Sequence, residues 1–148
     1  MPDPLTPGEG QDVLARIKRA REKRDPDAMV ELFAEDAECR LDPFMQPLTG
    51  VNAIREHWNA IAAEQAHVDF DAERVWVAGR TVLASWHAAY TRRPTAERVR
   101  VRGFSTVELD DSGSIVRLRE WPVSRTVGAD SKLKPDGVPE QAGEMQDG

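Results

Sequence analysis

The 148-residue chain carries a formal net charge of -6 and a sequence pI near 5.1, so its surface repels phosphate backbones and nucleic acid is not expected as a partner. Its length suits one domain around one core, and its single cysteine, Cys39, excludes an intrachain disulfide. No apolar run nears the roughly 20 residues that span a bilayer, and the start MPDPLTPGEG lacks the basic and apolar regions of a secretory signal, so a cytoplasmic address and no membrane contact are expected.

Residues 1–10 hold three prolines and two glycines without periodicity and read as a flexible tail, as do residues 128–148; the domain is expected over 11–127. From Gln11 to Arg24, Val13, Leu14, Ile17 and Ala20 recur at helical spacing with charged residues opposite, which predicts an amphipathic helix. Asp25 then offers an N-cap with Pro26 in the first helical position, and the stripe Met29, Val30, Leu32, Phe33 predicts a short second helix to about Ala34. The alternation from Ala37 to Leu41 predicts a half-buried strand that Asp42-Pro43 stops. After Gly50, the spacing of Ile54, Trp58, Ile61 and Ala62 marks a third helix ending near Gln65 or His67, with Thr49 or Asn52 as its cap.

From Val68 the period falls to two. Turn signals at Ala78-Gly79, in RRPTAER and in DDSG at 110–113 divide the rest into four strands in meander order. Helices and a short strand followed by a run of antiparallel strands define an α+β domain, its sheet covered on one face by helices.

Alternation assigns the faces. Val82, Ala84, Trp86, Ala88 and Tyr90 share the more apolar side of their strand; Val101, Gly103, Ser105, Val107 and Leu109 share that of the next. In the last strand Val116, Leu118, Glu120 and Pro122 fall together, so Glu120 is expected inside. A hairpin closed by DDSG sets Glu120 opposite Gly103 and Leu118 opposite Ser105, and a glycine facing a buried carboxylate leaves space for a ligand.

The runs ELFAEDAECRLDPFMQPLTGVNAIREHW and GFSTVELDDSGSIVRLREW resemble the nuclear transport factor 2-like superfamily, particularly its ketosteroid-isomerase-like and SnoaL-like polyketide-cyclase members, over residues 11–125. The resemblance implies a cone of curved antiparallel sheet on three N-terminal helices, a pocket between sheet and helices, homodimers through the sheet's outer face and no metal. The isomerase's oxyanion-hole tyrosine and aspartic acid fall on Ile17 and Ser105. Its base falls on Leu41, or on Asp42 after a one-residue shift, and steroid isomerisation is therefore not the leading expectation. The cyclase-like members carry an acid late in the last strand, where Glu120 stands.

A glutamate held between Val116, Leu118 and aromatic rings loses hydration, which suits it to proton transfer at neutral pH. Glu120 is thus the first candidate acid or base, weighed equally against a structural ion pair with an arginine; Asp42 is second, although its place before a proline favours a turn role. Trp58, Trp86 and Tyr90 are expected to border a pocket with Gly103, Ser105 and Leu118, the alternative being plain core packing. His87 falls on the outer face, and no histidine or cysteine spacing suits zinc, so neither metal nor organic cofactor is expected. The arginines of the last strands, with Phe104 and Trp121 between them, are expected to form a homodimer face through a contact such as Arg102 on Trp121. The expected function is a small-molecule site, either an isomerase, cyclase or dehydratase acting on a small apolar carbonyl or polycyclic compound, or a non-catalytic ligand-binding or dimerising domain.

Overall fold

The computed structural model describes residues 3–129. The first helix, α1 (Pro7–Glu22), begins inside the expected N-terminal tail. Thr6 caps it: its hydroxyl accepts the Glu9 N–H, and the Glu9 carboxylate accepts the Thr6 N–H in return. Leu5 is buried and donates its N–H to the Gly79 carbonyl at 2.8 Å. The prolines and glycines that look like a tail have local duties here. Pro7 occupies the first turn, and Gly10 lies so close to the sheet that a Cβ there would stand 2.8 Å from Val77 Cγ1.

Helix α2 (Pro26–Val30) is shorter than its apolar stripe suggests, because Phe33 already opens a strand. Asp25 caps it as expected, accepting from the Asp27 and Ala28 N–H groups. Strand β1 (Phe33–Arg40) pairs with the two-residue β2 (Leu48–Thr49), and α3 (Val51–Glu64) follows. Neither Thr49 nor Asn52 caps α3; Gly50 does, at φ +88°, a conformation that its missing Cβ permits.

Strands β3 (Gln65–Ala78), β4 (Thr81–Arg92), β5 (Glu97–Leu109) and β6 (Ile115–Ala129) form the expected meander. The sheet order is β2-β1-β6-β5-β4-β3, and β1 runs parallel to β6. The sheet is therefore mixed and open rather than wholly antiparallel, since the chain returns from the helices to lay its first strand beside its last. β6 extends past residue 127 through Ala129; the remainder of the expected C-terminal tail lies outside the described residues.

The face assignment by alternation matches the burial except at the start of β6, where an irregularity beside the turn buries Ile115 and leaves Val116 half-buried. Val82, Ala84, Trp86, Ser105, Val107, Leu118 and Glu120 are all buried, and they meet Leu14, Ile17, Met29 and Ile54 from the helices. The register differs from expectation by two residues: Ser105 lies opposite Glu120, Val107 opposite Leu118 and Gly103 opposite Pro122. An irregularity between Glu108 and Leu109 beside the DDSG turn shifts the pairing. An even shift keeps every side chain on its face, so Glu120 still points inward.

Candidate functional site

Between the sheet and the ends of α1 and α3 lies a cavity of about 160 Å³, bordered by Arg21, Leu41, Trp58, Phe70, Trp86, Ala88, Tyr90 and Glu120 among others. Its wall holds a buried ion pair. Arg21 projects from the last turn of α1, four residues after Ile17 and therefore on the same inward stripe. Its Nη2 lies 2.5 Å from Glu120 Oε2, and the two side chains are only 12% and 6% exposed. The guanidinium is packed among three rings, its Cζ 5.0 Å from the Trp58 centroid, 4.9 Å from Phe70 and 5.4 Å from Trp86.

The carboxylate has a second partner. Ser105 Oγ donates to Glu120 Oε2 at 3.1 Å and itself accepts from Trp86 Nε1 at 2.7 Å. Both bonds fall on Oε2, so among the described residues Oε1 carries none. Cys39, fully buried on β1, is close enough to feel this pair. Burial first, and the Glu120 carboxylate second, push its thiol up to about 12 against the opposing effect of Arg21, a net shift that favours the neutral thiol.

The expected site residues divide into three groups. Trp58, Trp86, Tyr90 and Glu120 border the cavity. Ser105 and Leu118 lie behind it, Ser105 as the link between Trp86 and Glu120 and Leu118 as core. Gly103 does not open space for a ligand: a Cβ there would stand 2.3 Å from Trp86 Cζ2, so the indole already fills the room that the glycine leaves.

Asp42 is exposed and does not face the cavity. Its Oδ1 accepts the Phe44 N–H at 2.7 Å and shapes a turn, while its neighbour Leu41 points inward. His87 is exposed on the outer face, 3.8 Å from Asp71. Within the chain Arg102 pairs with Glu73 at 2.8 Å, and Arg74 lies over the Trp76 ring on the same face.

Arg21 and Phe70 were not singled out from the sequence. Arg21 sits in a run of charged residues that reads as the solvent face of α1, and only its spacing from Ile17 betrays its direction. Phe70 follows the change of period at Val68, within a strand that carries few other buried side chains. Among the described residues no group of three or more His, Cys, Asp or Glu is placed to hold a metal ion, and no helix is long and apolar enough to cross a membrane.

An open mixed sheet curved over N-terminal helices, with a cavity between the layers, defines a domain of the nuclear transport factor 2-like class. The SnoaL-like domain pattern matches residues 14–118, and the chain belongs to that family. No curated protein matches the sequence.

Many solved structures share the fold, among them these three. SalBIII, an epoxide hydrolase/cyclase-like enzyme described in pyran ring formation in the polyether salinomycin, has a TM-score of 0.73 at 21% identity, covering 81% of this chain and 97% of that one. A SnoaL-like protein from Jannaschia sp. CCS1, assigned as a polyketide cyclase, has a TM-score of 0.69 at 14% identity, with 80% and 89% covered. An LEH-like epoxide hydrolase of M. tuberculosis has a TM-score of 0.66 at 17% identity, with 78% and 84% covered. At these identities the likeness establishes the fold alone.

Proposed function

We propose that the protein is a cofactor-independent enzyme that isomerises, cyclises or dehydrates a small apolar carbonyl compound, with Glu120 moving the proton. One observation carries this reading: a carboxylate at the wall of an apolar cavity has one oxygen tied by Arg21 and Ser105 and the other without a bond. A group held this way is positioned before the substrate arrives, and its second oxygen can take a proton from a carbon or hydroxyl placed in the cavity. The enzymatic neighbours in fold space are consistent with such chemistry and do not specify it.

The test uses cyclohexanone in deuterated buffer, following loss of its α-proton signals by NMR. The wild type should accelerate exchange over buffer, and Glu120→Gln should lose at least about 100-fold of that acceleration. Equal exchange by the two proteins would remove Glu120 from the reaction.

A second reading, a ligand-binding domain without catalysis, is favoured by Arg21 already neutralising Glu120. It predicts saturable binding of cyclohexanone with exchange at the buffer rate.

The outer face of the sheet supports self-association. Trp121 and Trp76 are 43% and 44% exposed, and Phe104 lies 6.3 Å from Trp76. A homodimer predicts a light-scattering mass of twice 16.5 kDa; a mass of 16.5 kDa at micromolar concentration would contradict it.

A further inference from the structure

We propose that the cavity takes a neutral compound the size of one six-membered ring, anchored by an oxygen that accepts the Trp58 indole N–H. The inference rests on the reading of this cavity as a ligand site and narrows the ligand class.

Size comes first. The space is about 160 Å³, close to the apolar protein cavity of about 150 Å³ that binds benzene and well below the roughly 300–1,000 Å³ of pockets for larger ligands. Two of its walls, Trp58 and Trp86, are 7% and 2% exposed and packed on Arg21, so the inner end of the space has room for one ring between them. The proposed ligand therefore narrows to a single ring.

Charge comes second. The cavity's buried charges are Arg21 and Glu120, which cancel each other at 2.5 Å. The other two charged residues of the lining, Arg24 and Asp25, are of opposite sign, so the lining as a whole carries no net charge; Arg24 donates to the Ala62 and Gln65 carbonyls and Asp25 caps α2. A charged ligand would lose its hydration without gaining a free counter-charge, so a neutral one is favoured.

The anchor comes third. Trp58 Nε1 is buried without a hydrogen-bond partner, and the other buried side-chain nitrogens in that condition among the described residues are all arginine Nε atoms. A guanidinium has further donors to satisfy; an indole has one. That lone donor belongs to a residue of the cavity wall whose ring lies beneath the guanidinium that holds Glu120. A ligand oxygen that reaches this nitrogen would satisfy it, removing the penalty of an unmade bond.

Three probes separate these claims: cyclohexanone, its hydrocarbon isostere methylenecyclohexane, and the two-ring ketone 2-decalone, each titrated by NMR. Trp58→Phe keeps an aromatic ring and deletes the donor. It should weaken cyclohexanone about three- to tenfold and leave methylenecyclohexane within about twofold. On the wild type, cyclohexanone should move the assigned Trp58 indole N–H resonance downfield and methylenecyclohexane should not; this readout decides the matter if Trp58→Phe does not fold. 2-Decalone should bind at least about tenfold more weakly than cyclohexanone despite its greater apolar surface. Equal losses for ketone and hydrocarbon, an unmoved indole resonance, or 2-decalone binding as tightly as cyclohexanone would each overturn the inference while leaving the cavity a ligand site. Failure of all three probes to bind the wild type would overturn both.

Discussion

The two faces of the sheet use the same chemistry to different ends. On the outer face Arg102 meets Glu73 at 2.8 Å, with side chains 69% and 34% exposed. On the inner face Arg21 meets Glu120 at 2.5 Å, with 12% and 6% exposed. Water screens the outer pair, and exposed pairs of this kind contribute about 0.2–1 kcal/mol. The inner pair has given up its hydration. Its mutual attraction, the Ser105 hydrogen bond and three aromatic rings offset that loss, yet two apolar side chains in its place would fill the same volume with no desolvation cost at all. Stability alone does not explain a buried ion pair at a cavity wall. The proposed role, presenting a carboxylate oxygen to a ligand, would give the pair a purpose beyond stability.

The contrast sharpens under mutation. Arg21→Met strands the Glu120 charge in the interior and should lower the unfolding free energy by about 3–5 kcal/mol in denaturant melts. Removing both charges, Arg21→Met with Glu120→Met, should restore stability to within about 1 kcal/mol of wild type or exceed it. Glu73→Ala, which breaks the outer pair, should cost less than about 1 kcal/mol, and 1 M salt should erase even that difference. A loss from Glu73→Ala as large as that from Arg21→Met would abolish the distinction between the faces.

Much of this arrangement is legible in the sequence because strand alternation is strict. Leu118 and Glu120 share a face whatever the register, so a pairing wrong by two residues still sends Glu120 inward. The same strictness separates Leu41, which borders the cavity, from Asp42, which turns a loop outside it. Helical direction was harder to read at Arg21, since an arginine in a charged helix looks solvated until its stripe is traced through Ile17 to the rings beneath it. The parallel pairing of β1 with β6 leaves no local mark, because it joins Cys39 to Leu118 across almost the whole domain. Composition misleads at residues 5–10, where Pro7 and Gly10 serve a helix start and a close approach to Val77 instead of a tail. Gly103 misleads in the same way: a small residue signals space, and only the structure shows that Trp86 occupies it.

The most direct test measures deuterium exchange into cyclohexanone by the doubly substituted protein, Arg21→Met with Glu120→Met, once its melt shows it folded. If the inner pair exists for the ligand, this stable protein should exchange at the buffer rate. Exchange at the wild-type rate would mean that the buried carboxylate takes no part in the chemistry.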